Sequence, residues 1–91
     1  MKEVKHDPAK EKFFLEVSGK EAHMKYKKAG EGVLDYQHTF VPNELRGGGI
    51  AGKIVRTALE YARDNHLRVI PSCSYVAAFI RRHPEFADLE D

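Results

Sequence analysis

The chain has 91 residues and a formal net charge of +1, with 42% apolar and 32% charged residues. A chain of this length buries only about 60% of its extended surface on folding, which allows one domain with one modest core and excludes a two-lobed enzyme. No apolar run nears the roughly 20 residues that cross a bilayer, near-balanced charge sets the chain apart from dedicated nucleic-acid binders, and a single cysteine, Cys73, excludes an intrachain disulfide.

One cysteine and no apolar signal-type stretch in Met1 to Lys12 point to a reducing, cytoplasmic setting. Residues 1–91 read as a single domain with an ordered core over about 10–87, expected to act as a monomer. The acidic tail from Glu85 to Asp91 reads as a solvated end without a role.

Period-2 alternation fills the first half. Phe13, Leu15 and Val17 share one face of a strand, and Ser18-Gly19 marks a turn. Ala22, Met24 and Tyr26 then alternate with Glu21, His23, Lys25 and Lys27, followed by a second loop at Ala29-Gly30-Glu31-Gly32. A longer strand spans Val33 to Val41, with Leu34, Tyr36, His38 and Phe40 on one face, and Pro42 closes it. The period then changes. Ile50, Ile54, Ala58 and Ala62, flanked by Ala51, Val55 and Leu59, form a helical stripe, with Lys53, Arg56, Thr57, Glu60, Arg63 and Asp64 on a solvated face. Leu67 to Ile70 suits a buried strand, parallel to Val33–Val41 with the two C-terminal ends side by side. A last helix capped by Ser72 or Ser74 runs to Arg82 and stops before Pro84. The order β-β-β-α-β-α is an α+β fold with a mixed sheet.

The informative segment is Arg46-Gly47-Gly48-Gly49-Ile50-Ala51-Gly52-Lys53, at a strand-to-helix junction. Glycines there let the backbone turn sharply and approach a ligand, and helix amides with the positive end of the dipole attract an anion such as phosphate. Gly47-x-Gly49-x-x-Gly52 matches the dinucleotide fingerprint, but the next strand ends in Ile70-Pro71 without the required acid and no further parallel sheet follows. Gly47-x-x-x-x-Gly52-Lys53 approaches a P-loop, but Ile54 stands where a hydroxyl should hold magnesium. Neither reading fits.

Arg46-x-x-Gly49-x-Ala51 resembles the [Q/R]-x-x-G-x-[G/A] turn of the GNAT-type N-acetyltransferase superfamily, and the element order agrees. His38-Thr39-Phe40-Val41-Pro42 and Ile70-Pro71-Ser72-Cys73-Ser74-Tyr75-Val76 further resemble a family of very short, single-domain GNAT-like proteins that keep a cysteine after this strand. The resemblance implies acetyl-coenzyme A as the cofactor. Its pyrophosphate would lie on the turn formed by Arg46, Gly47, Gly48, Gly49, Ile50 and Ala51, with Lys53 in reach, and its pantetheine arm along the backbone of Thr39, Phe40 and Val41. Larger members add N-terminal helices and C-terminal strands around the acceptor, and a general-acid tyrosine that falls at Arg81 here.

Three side chains are candidate catalytic groups. Cys73 follows a strand end and precedes a helix, where positive potential favours a thiolate; a small buried hydrophobe is the bland alternative. His38 is an acid–base candidate or a packed core histidine, and Tyr75 a proton donor or a packing ring. His6, His23, His66 and His83 have no metal-ligand spacing, so no metal is expected. The function expected is acetyl-coenzyme A-dependent transfer to a small amine or a protein lysine. The alternative is a module that holds coenzyme A or an acyl thioester without efficient transfer. An RNA-binding domain would need an aromatic surface and a basic face, of which Lys25-Tyr26-Lys27-Lys28 is only a fragment. No nucleic-acid or membrane partner is expected.

Overall fold

A computed structural model describes residues 3–91. Strands β1 (Lys5–Asp7), β2 (Lys12–Val17), β3 (Lys20–Lys28) and β4 (Val33–Phe40) form an antiparallel meander. A 3-10 turn (Asn43–Leu45) leads into α1 (Ile50–Asp64), which crosses to β5 (Arg68–Ile70), parallel to β4. Helix α2 (Ser74–Arg82) and a 3-10 segment (Pro84–Leu89) end the fold. The sheet order is β1-β2-β3-β4-β5, a mixed sheet of the α+β class expected, with one strand more than the sequence pattern shows.

Local chemistry explains the turns. Ser18 and Gly19 both take positive φ (50° and 78°), the left-handed pair of a two-residue hairpin whose twist matches its strands. The inward residues of the sheet, Phe13, Leu15, Ala22, Met24, Tyr26, Leu34 and Tyr36, meet the α1 stripe of Ile54, Val55, Ala58, Leu59 and Ala62. Tyr36 is fully buried, and its hydroxyl donates to the Ala58 carbonyl at 2.6 Å. That bond ties β4 to the middle of α1, and burial pushes the phenol well above its ordinary pKa. The outward face of the sheet carries no helix-side core residue. Glu21, His23, Lys25, Asp35 and Gln37 lie along it.

Four local expectations need correction. β1 has no apolar alternation to announce it; His6 holds it, stacked at 4.1 Å on Phe13 and 2.6 Å through Nε2 from the Tyr26 hydroxyl. The acidic tail is not merely solvated, since Leu89 is buried, Glu90 bridges to Val69, and the Asp91 amide donates to the Val69 carbonyl. The polar face of α1 is partly covered, with the Arg56 and Arg63 guanidinium groups over the Phe86 ring at 5.6 and 5.3 Å. Neither Ser72 nor Ser74 caps α2: Cys73 is its N-cap residue.

The fifth difference positions the site. In the β3–β4 ladder Lys25 opposes His38 but Tyr26 opposes Tyr36, which leaves Gln37 as an extra residue. This β-bulge breaks the two-residue alternation. Leu34 and Tyr36 point into the core, yet beyond the bulge it is Thr39 that turns inward, while His38 and Phe40 turn outward and are exposed. His38 is therefore not a core histidine. β5, moreover, pairs with β4 only up to Asp35↔Ile70 and stops there. The Cys73 amide makes one more bond, to the Tyr36 carbonyl at 2.9 Å. The C-terminal ends are not side by side: β4 runs on past β5, leaving its Gln37–Phe40 edge without a strand partner on that side.

Candidate active site

A cavity of about 360 Å³ opens beside that unpaired edge. Thr39 and Val41 form its strand wall, Leu45, Arg46 and Gly47 its loop, Gly49, Ile50 and Ala51 its helical floor, and Tyr75 reaches over from α2. Gly47 (φ 87°) and Gly49 (φ 74°) adopt left-handed backbone, and a Cβ at either would meet nothing within 4 Å. The glycines are thus required by conformation, and the space they leave belongs to the cavity. Gly49 is the N-cap of α1 and no side chain caps this helix. The Lys53 amide returns to the Gly49 carbonyl at 3.1 Å, so the intrahelical ladder begins there, and the amides of Gly49 to Gly52 precede it. They present donors and positive dipole potential where an anion fits.

Gly52 has a different task. A Cβ there would make ordinary contacts, 3.4 Å from the Tyr75 hydroxyl and 3.6 Å from Phe79, so Gly52 marks where α2 packs on α1. Tyr75, 40% exposed, is held at the cavity by this packing. Arg46 Nε donates to the Val41 carbonyl at 3.1 Å, which ties the loop to the end of β4.

Cys73 lies behind Thr39. Its Sγ is 3.4 Å from Thr39 Oγ1, half-buried at the start of α2. Burial pushes the thiol up, but the Thr39 hydroxyl and the amides of Val76, Tyr75 and Thr39 together outweigh it and hold the pKa below the ordinary thiol value. The surroundings of the sulfur thus favour the thiolate more than those of a free cysteine do. Of the expected cofactor-binding residues, seven line the cavity: Thr39, Val41, Arg46, Gly47, Gly49, Ile50 and Ala51. Phe40 turns its ring away, Gly48 lies in the loop outside the lining, and Lys53 is half-buried on the first turn of α1. Cys73 meets Thr39 and Tyr75 lines the same cavity as Thr39, whereas His38 stands on the opposite face of the sheet. Leu45 is a wall that the sequence pattern did not reveal, and its only signal is its place as the one apolar residue between Pro42 and Ile50. No group of metal-ligating side chains occurs among the described residues.

A sequence profile described as GCN5-related N-acetyl-transferase matches residues 12–89. The chain belongs to the GCN5-related N-acetyltransferase family. Among curated relatives, it is similar to Protein NATD1 of Bos taurus, 32% identical over 83 residues that make up 89% of this chain and 74% of that protein. Protein NATD1 of Homo sapiens is 30% identical with the same shares covered. Among solved structures, a GCN5-like putative N-acetyltransferase from Staphylococcus aureus, determined by NMR in solution, superposes with a TM-score of 0.76 at 26% identity. That superposition covers 98% of this chain and 87% of the other. In this acetyltransferase-family chain, then, the glycine turn, the strand edge beside it and the thiol behind Thr39 are the parts to be explained chemically.

Proposed function

We infer that the protein is an acetyl-coenzyme A-dependent N-acetyltransferase acting on a primary amine, a small molecule or a protein lysine. The observation that carries this reading is the meeting of uncapped helix amides and a bare strand edge along one cavity, with the Cys73 thiol 3.4 Å behind the Thr39 hydroxyl of its wall. The amides at Gly47 to Ala51 hold the pyrophosphate, helped by Arg46, whose guanidinium can exchange the Val41 carbonyl for a phosphate oxygen. The β4 edge at Thr39, Phe40 and Val41 accepts the amide groups of the pantetheine arm as a strand would, Phe40 through its backbone alone. The cofactor supplies an acetyl group as an activated thioester. Cys73, 3.4 Å behind Thr39, lies at the inner end of the same path on this reading, which the resemblance of its P-S-C-S-Y segment to very short GNAT-like proteins supports.

Cys73 then acts as nucleophile. Its thiolate forms a bond to the acetyl carbon, the carbon–sulfur bond to coenzyme A breaks, and the departing thiolate takes a proton from the Tyr75 hydroxyl, which solvent replaces. An amine entering from the uncovered face, through the gap where β4 outruns β5, attacks the acetyl-cysteine; a carbon–nitrogen bond forms, Cys73 leaves as thiolate, and the amine's surplus proton passes back to His38 on that face. Mass spectrometry after treatment with acetyl-coenzyme A should show an acetyl adduct on the Cys73 peptide. Cys73→Ser should bind coenzyme A but lose transfer. If Cys73→Ala transfers like the wild type, attack is direct and the cysteine only packs; if coenzyme A binds but no amine panel releases it from its acetyl thioester, the protein is a binding module.

A further inference from the structure

The bulge at Gln37 turns His38 onto the uncovered face of the sheet, where a chain of polar groups crosses three strands toward it. Lys12 Nζ on β2 is 2.9 Å from both carboxylate oxygens of Glu21 on β3. Glu21 Oε2 lies 3.0 Å from His23 Nδ1 on the same strand. The His23 ring is half-buried, packed at 5.5 Å against Phe40, and its centroid is 6.5 Å from that of His38 on β4. Such a separation leaves room for one water between the ring nitrogens. A surface ion pair needs no such order. Here the carboxylate is fixed by a lysine, fixes one nitrogen of an imidazole in turn, and leaves Nε2 directed away from it, the arrangement that orients a base.

We propose that Glu21 and His23 form a positioning pair that carries the acceptor's proton away from His38, and that the acceptor amine therefore arrives at the uncovered face of the sheet. This inference rests on the acetyltransferase reading. His38 takes a proton from the incoming ammonium, leaving a neutral amine; a bridging water passes that proton to His23, and the imidazolium formed is faced by the Glu21 carboxylate. His23 then returns the proton to solvent, so no charge accumulates over a turnover. His38 is the catalytic group, while His23 and Glu21 act through it. Burial, the largest influence, keeps His23 below the usual imidazole range against the opposing pull of Glu21, so it is neutral and able to accept at pH 7. The other charged groups facing it are Lys12 and Glu16 from β2, Lys25 beside it on β3, and His38 from β4.

The test measures transfer from acetyl-coenzyme A to propylamine, a polyamine and a lysine-containing peptide, with the full chain, between pH 6.5 and 9.5. His23→Gln and Glu21→Gln should each lower kcat/KM for the amine about 10-fold at pH 7 and leave the KM for acetyl-coenzyme A unchanged. The deficit should narrow steadily as pH rises to 9.5, where far more of the amine is already free than at pH 7, and Glu21→Asp should recover part of the rate. A deficit constant with pH, or no deficit in either folded variant, overturns the relay while wild-type turnover keeps the transferase reading intact. Wild-type protein that binds coenzyme A but turns over none of these amines overturns both.

Discussion

Gly49 allows charge to be separated from conformation at the proposed cofactor site. Its φ of 74° is left-handed, and a side chain there would project into open space. Asn and Asp both tolerate this backbone, so Gly49→Asn and Gly49→Asp have the same shape and the same modest conformational cost, about 1 kcal/mol. For a domain of this size that lowers Tm by about 4–8 °C in each variant. They differ in one negative charge. A carboxylate about 6 Å from a phosphate, at an effective dielectric constant of about 20, is repelled by about 3 kcal/mol. Coenzyme A should therefore bind the Asp variant about 100-fold more weakly than the Asn variant in isothermal titration calorimetry. High salt should narrow the gap, because screening weakens the repulsion. If both variants fold and their affinities agree within threefold, the pyrophosphate does not lie on these amides.

The remaining expectations concern the framework and its titrating groups. Tyr36→Phe removes the bond to the Ala58 carbonyl and should cost about 1 kcal/mol in denaturant unfolding without altering the sheet spectrum; a neutral result would mean the bond adds nothing net. Gly52→Ala should be neutral or stabilising, because the added Cβ makes only ordinary contacts at 3.4 and 3.6 Å while the helix loses a glycine worth about 1 kcal/mol; a fall in Tm would show that Tyr75 cannot yield. His6 and His23 both have pKa values lowered from 6.5, chiefly by burial, so the unfolded chain binds their protons first. Stability should be full above about pH 7 and decline as pH falls through 6.5 and below, and replacing both imidazoles should flatten that limb in urea titrations. Alkylation by iodoacetamide at pH 7 should be faster at Cys73 than for a free cysteine, and Thr39→Val should slow it; equal rates would contradict the lowered thiol pKa.

Much of this architecture is legible in the residues because it depends on period and on glycine. The α1 stripe, the two hairpins and the glycine turn each follow from local rules, and the observed α1 spans the stripe read from Ile50 to Asp64. The misread features are those in which tertiary contacts override a local pattern. Leu34, Tyr36, His38 and Phe40 alternate without a break, so nothing in the chain announces that Gln37 will bulge and reverse the facing of all that follows. β1 is invisible because its anchor is an imidazole stacked on an aromatic ring rather than a periodic apolar residue. Leu89 is a lone apolar residue among acids, and its burial in the core depends on tertiary packing beside the Glu90 bridge to Val69 rather than on any local pattern. The glycine turn is legible because backbone conformation selects its residues, whereas the pairing of Thr39 with Cys73 joins positions 34 residues apart.

The way the tail meets β5 bears on self-association. A β-sheet ordinarily offers two open margins to any extended chain, and proteins that leave them bare risk growing end to end into fibrils. Here one margin is β1, three residues long with a lysine and an aspartate in it, too short and too charged to template a neighbour. At the other margin Glu90 and Asp91 engage the Val69 backbone. What remains open to a foreign strand is the notch beyond Tyr36, where β4 outruns β5. Among the described residues, the same backbone valence that would be an aggregation hazard at a margin is confined to the notch that the proposed pantetheine arm would use, while Glu90 and Asp91 occupy the far side of β5.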